Sequence, residues 1–151
     1  MVDSNKTVQI DFFAQTPGEG TRYIVSKYTS VLVDSVLKNL EEFSLKIHLK
    51  QKTLEQLYSC IVCVEDDIKP HVEKILKSII YKLVLDEEPE IANRTLKIAE
   101  LLGLYIPTDY ILPMIVEHLN DQEAKAQPMF VAACLTTLSA VVVNSSVRFG
   151  H

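Results

Sequence analysis

Cys60-Ile-Val-Cys63 is the pair of residues in this chain whose type and spacing most directly suggest chemistry. Two thiolates this close can hold zinc or cycle to a disulfide. A structural zinc needs four ligands, and the sequence offers no second such pair and no paired histidines. A redox pair of this spacing follows a strand and opens a helix, whereas this one closes a helical pattern. Cys60 and Cys63 are therefore expected in the core as small apolar residues, and so is Cys134, which stands among Ala and Leu.

The remaining polar candidates are weaker. His48, His71, His118 and His151 lack the i, i+4 spacing that would pair them on one helix face, and His71 and His118 are expected on helix surfaces. Gly18-Glu-Gly20 lacks the Lys-Ser/Thr that a phosphate loop requires. Asp66-Asp67 and Glu87-Glu88 are paired carboxylates, but both stand in turns beside helix starts, where capping and the helix dipole account for them. No nucleophile–base set can be assembled, so no catalytic residue, metal ligand or cofactor is predicted.

Composition points the same way. With 151 residues, 48% apolar, the chain is long enough for one domain with a buried core. The net charge of −5, with Lys and Arg scattered singly, argues against nucleic acid as a partner. An odd cysteine count and an N-terminus without a basic, then apolar, leader predict a reducing, cytoplasmic setting. From Ala126 to Val147 no residue is charged. That stretch could span a bilayer, but its Gln, Pro, Asn, Thr and Ser content favours a helix covered by protein, and no membrane association is predicted.

The elements that would position these residues are helices. Residues 1–20 are expected to be a tail or linker, closed by Pro17-Gly-Glu-Gly20. Apolar residues then recur at three and four positions, predicting helices over about 21–40, 44–63, 68–85, 89–105, 108–119 and 124–143. Ser44 marks the second start. Pro70 and Pro89 suit first turns, and Gly103 and Pro107 close the fourth helix. The connections are short and the helices fall into three pairs, starting near 21, 68 and 107. A two-helix unit recurring every 40–45 residues predicts an all-α solenoid of about three HEAT-like antiparallel pairs (about 21–64, 68–105 and 107–147, within a domain 21–151). The acidic turns at Asp86 and Asp121 would each lie inside a pair. An up-and-down bundle is the competing architecture.

LDEEPEIANRTLKIAELLG (85–103) resembles the entry to a HEAT-repeat second helix: an acidic turn, Pro89, Ile91, small residues, then Leu-Leu-Gly. The Arg common after the aliphatic is replaced by Ala92. The longer order GTRYIVSKYTSVLVDSVLKNLEEFSLKIHLKQKTLEQL, EDDIKPHVEKILKSIIYKLVLDEEPEI and AELLGLYIPTDYILPMIVEHL resembles the C-terminal repeats of the HEAT-repeat dynein axonemal assembly factor family. The resemblance covers about residues 20–140. It implies a cytoplasmic, non-catalytic factor that helps preassemble dynein arms for motile cilia beside chaperones, with dynein chains and chaperones as partners. It carries no catalytic residues to this chain.

In a solenoid the second helices of the pairs line the concave side. Lys46, Lys50, Lys52 and Glu55 on the second helix, with Lys97 and Glu100 on the fourth, are the candidate partner-binding residues; a merely solvated face is the competing reading. Function is thus expected to be protein-binding scaffolding. Another HEAT or armadillo scaffold, such as a phosphatase scaffold subunit or transport receptor, is the alternative, and an all-helical enzyme is the least supported. Residues 126–143 are apolar on nearly all sides, with Thr136, Thr137 and Ser139 as their central polar breaks. A capping helix should be polar outside. A further repeat is therefore expected over this one in a longer parent chain, and self-association through it in isolation.

Overall fold

The computed structural model describes residues 28–42 and 46–148. The expected tail (1–20), the helix start at 21, Ser44 and His151 lie outside them. Every described element is helical, with no strand among the described residues. Helix α1 spans Thr29–Glu42 and α2 spans Ile47–Val64. A 3-10 segment, Glu65–His71, leads into α3 (72–83), and α4 is Pro89–Tyr105. Then come α5, Thr108–Leu119, the single turn α6, Gln122–Lys125, and the long α7, Pro128–Arg148.

Local chemistry sets these bounds. The α2 helix ends at Glu65, whose φ of 52° lies in the left-handed region that costs a residue with a Cβ, and the chain turns there. Asp86 Oδ2 accepts from the Glu88 backbone N–H, fixing the turn before Pro89 opens α4. Asp121 Oδ1 accepts from the N–H groups of Glu123 and Ala124, capping α6. Both acidic turns therefore serve as backbone acceptors.

Two expected helices differ in detail. The third is not a continuous α-helix over 68–85. Pro70 has no N–H to donate, and the chain stays 3-10 through His71. Residues Leu76–Ile80 then open into a π-turn, which keeps Ile79, Ile80 and Tyr81 all inside. The sixth, expected over 124–143, is instead the α6 turn followed by α7, because Pro128 suits a helix start and not its interior.

The helices form two layers. Helices α1, α3 and α5 lie in one, and α2, α4 and α7 in the other. Within the first, Lys74 Nζ donates to Asp34 Oδ1 at 2.9 Å, and His118 meets Glu73 and Tyr81. Within the second, Arg94 Nε donates to Glu55 at 3.0 Å and the Ser145 hydroxyl donates to the Gly103 carbonyl at 3.2 Å. The partners stand 40, 45, 37, 39 and 42 positions apart. Each contact thus joins helices one repeat length away, which is how a solenoid is held and an arrangement an up-and-down bundle does not require. Neighbours are stacked so that each pair's apolar face is completed by the next.

The core runs between the layers through Leu54, Leu57, Ile61, Leu76, Ile80, Ile98 and Leu102, all fully buried. Leu76 and Ile80 sit where α3 meets α4, as their spacing predicts. Hydroxyls inside it bond back to the preceding turn: Thr53 to the Leu49 carbonyl, Thr95 to Ile91, Thr137 to Ala133. Helices α4 and α7 approach so closely at Gly103 that a Cβ there would stand 2.6 Å from the Val141 carbonyl oxygen.

Candidate partner-binding groove

Between α2 and α4 the second layer opens into a groove of about 610 Å³. Leu54, Glu55 and Tyr58 line it from α2, and Glu90, Asn93, Arg94 and Lys97 from α4. The α4 residues fall on one face because they recur at three and four positions. Arg94 is half-buried and clamped. Its Nε donates to Glu55 Oε2, and its Nη1 donates to both the Glu90 carbonyl (3.0 Å) and Glu90 Oε2 (2.7 Å). The bond to Glu90 first, then those to Glu55, hold its guanidinium above the ordinary arginine range. A planar, doubly anchored guanidinium is a fixed feature of this surface.

Sequence reasoning placed Glu55 and Lys97 on the partner-binding face, and the fold brings both to this groove. Lys46, Lys50 and Lys52 do not line it: Lys46 and Lys52 are exposed, and Lys50 is half-buried. Glu100 is half-buried one turn beyond Lys97. Arg94 is the central residue the sequence reading missed. Its signal was available as the i, i+4 spacing from Glu90, while the 39-residue step to Glu55 becomes meaningful only once the repeat register is known.

A second polar cluster corrects an expectation. His118 is not on a helix surface; it is 6% exposed. Its Nε2 lies 3.0 Å from Glu73 Oε2 and its Nδ1 2.8 Å from the Tyr81 hydroxyl. An ionised carboxylate can only accept, so Nε2 carries the hydrogen and Nδ1 accepts from the Tyr81 O–H in the neutral imidazole. Tyr81 also packs edge-on against Phe130 of α7, ring centroids 5.2 Å apart. Burial pushes the Tyr81 hydroxyl far above its ordinary range, so it stays protonated as the donor. The His118 bond holds the Glu73 carboxyl below the usual value. With its contacts to Glu73, Tyr81 and Phe130 the cluster reads as a brace between α3, α5 and α7.

Cys60, Cys63 and Cys134 are buried, and no disulfide joins them. Burial raises the Cys60 thiol to about 11 and raises Cys134 as well, which removes thiolate character from both. Among the described residues, no three of His, Cys, Asp and Glu are grouped to hold a metal ion. Residues Pro128–Ser145 are long and apolar enough, by length and composition, to cross a membrane; in this fold one side of that helix packs on α4 and α5.

These features coincide with a known family. The family model described as dynein axonemal assembly factor 5, HEAT-repeat domain, matches residues 12–148. The chain belongs to that family. It is 27% identical to dynein axonemal assembly factor 5 of Xenopus laevis over 131 residues, which is 87% of this chain and 15% of that protein. It is 22% identical to the Mus musculus protein of the same name over 119 residues, 79% of this chain and 14% of that protein. The chain thus spans about one seventh of the length of these relatives. No solved structure matches it.

Proposed function

We propose that the chain is a non-catalytic, cytoplasmic protein-binding scaffold in the assembly of axonemal dynein. The observation that carries this reading is the α2–α4 groove, held open by the Glu55–Arg94–Glu90 clamp on a solenoid surface. A repeat fold of this kind offers extended surface more readily than an enclosed reaction site. The names of the relatives supply the process, and client dynein chains and the chaperones that accompany them are the proposed partners. The helix pairs at about 21–64, 68–105 and 107–147 are the proposed repeats. Lys46, Lys50, Lys52 and Glu100 extend the proposed surface on either side of Glu55 and Lys97.

The test is affinity capture from ciliating cells with the wild-type chain and with Lys97→Glu, an exposed position whose change leaves the core intact. Recovery of axonemal dynein chains by the wild type, reduced by Lys97→Glu, is expected. Recovery of phosphatase subunits, or of transport cargo, would replace this reading with another HEAT scaffold.

A further inference from the structure

The groove is not the whole of the α2–α4 seam. Seven residues beyond Lys97, Leu104 and Tyr105 of α4 line a second, smaller hollow with Glu65 and Asp66 at the end of α2. Seven helical residues rise about 10 Å. Positions 97 and 104 share one face of α4, so the hollows lie in line along the seam. Half-buried Val62 of α2 and Leu104 of α4 leave an apolar stretch between them.

The two hollows differ in what they present. In the first, Glu55 and Glu90 are spent on Arg94 Nε and Nη1. Among the described residues, Arg94 Nη2, the Lys97 ammonium and the Asn93 side-chain amide make no such bond, so its open groups include one full positive charge, on Lys97. Asp66 is exposed in the second hollow and offers a carboxylate there, and among the described residues that line it none is a cation.

We propose that this seam binds a short extended peptide segment carrying a carboxylate side chain, a central apolar residue and a basic side chain three residues from the carboxylate. The proposal rests on the reading of the seam as the partner-binding face. An extended chain advances about 3.3 Å per residue, so three residues cover the distance between the hollows. The carboxylate takes the donors of Asn93, Arg94 and Lys97, the apolar residue covers the Val62–Leu104 stretch, and the basic group meets Asp66. Opposite charges at the two ends select a partner by charge order, and the acidic end repels nucleic-acid phosphates.

Fluorescence anisotropy tests this with three fluorescein-labelled ten-residue peptides, alike except at two positions three apart: Glu with Arg, Arg with Arg, and Glu with Glu. The 151-residue chain should bind the Glu/Arg peptide best. Lys97→Glu should weaken that binding roughly tenfold and shift preference to the Arg/Arg peptide, since reversing one charge turns attraction into repulsion. Asp66→Lys should shift preference to Glu/Glu. Thermal melts confirm that both exposed variants fold. Failure of the wild type to bind Glu/Arg, preference for a like-charged peptide, or indifference to Lys97→Glu overturns the proposal. If dynein chains are still captured in that case, the peptide chemistry alone is wrong; if capture fails too, the scaffold reading falls with it.

Discussion

The Tyr81 hydroxyl lies 2.8 Å from His118 Nδ1, across the boundary between α3 and α5 and inside the core. One hydrogen bond here joins helices 37 positions apart, and the other ring nitrogen holds Glu73 at 3.0 Å. Tyr81→Phe removes the donor and strands Nδ1; His118→Leu removes the acceptor and leaves the hydroxyl with Cys134 alone. Each is expected to cost about 1–3 kcal/mol, the usual penalty for leaving a buried polar group unpaired. The double variant should cost less than the sum, because each single change already breaks the shared bond. Urea unfolding of the four proteins measures this, and strict additivity would show that the bond contributes nothing.

Glu73 gives the same brace a pH dependence. Its carboxyl is held below the ordinary 4.5, first by the His118 hydrogen bond and then by Lys77. A carboxyl depressed in the folded state stabilises the fold above its unfolded value and loses that contribution as pH falls through the folded value. Glu73→Gln should therefore melt lower than wild type at pH 6, and the gap should narrow as pH falls below the ordinary 4.5 and through the lowered folded value. The effect is small because the Glu73 side chain is 57% exposed. A gap that is constant from pH 6 to pH 3 would remove Glu73 from the linkage.

Gly103 inverts a familiar expectation. Within an exposed helix, Gly→Ala stabilises by roughly 0.5–1 kcal/mol. At Gly103 the added Cβ would meet the Val141 backbone at 2.6 Å, and backbone atoms cannot swing aside. Gly103→Ala should destabilise by about 1–3 kcal/mol through forced separation of α4 and α7. Leu76→Ala, which opens a hole at the α3–α4 contact, should cost about 2–5 kcal/mol. Chemical unfolding checks both. A stabilising Gly103→Ala would mean the two helices are not in contact there.

The architecture was legible because it follows from periodicity. Leu76 and Ile80 announce a buried face by their spacing, and Pro89, Gly103 and Pro107 announce helix ends by their backbone limits. What was hidden depends on register between repeats. His118 follows Glu117 and precedes Leu119, so nothing local marks it as buried; its burial comes from Tyr81, brought inward beside the π-turn. Ala92 stands where the repeat commonly has its arginine, and the repeat pattern gives Arg94, two places on, no role. Its role appears once a 39-residue step sets it against Glu55. Of the six residues read as a binding face, Glu55 and Lys97 meet at the groove because α2 and α4 are neighbours. Lys50 and Lys52 share α2 with Glu55 and Lys46 precedes its first turn, yet none of the three is among the residues that line the groove.

The cysteines should be silent in the folded protein. Burial and a Cys60 thiol raised to about 11 leave almost no thiolate at neutral pH. A thiol reagent at pH 7.5 should label Cys60 and Cys63 only as the chain unfolds, with the labelling rate rising in step with denaturant. Elemental analysis should return far less than one zinc per chain. Fast labelling of native protein, or stoichiometric zinc lost on Cys60→Ser, would contradict a core role for the pair.

The outer side of α7 yields the last prediction. Met129, Leu135, Val142 and Val143 are 68%, 50%, 42% and 59% exposed, while Ala133, Cys134 and Val141 on the other side are buried. No residue from Ala126 to Val147 is charged, so nothing on this helix repels a second apolar surface. Exposed apolar area of this kind promotes association. The 151-residue chain should therefore scatter light as species larger than a monomer as its concentration rises. Leu135→Glu, placing a charge in the middle of the exposed side without touching the α4 contact, should restore the monomer and leave the melting temperature nearly unchanged. A wild-type chain that stays monomeric at high concentration would sink this, and would show that the apolar side of α7 is tolerated in water without a cover.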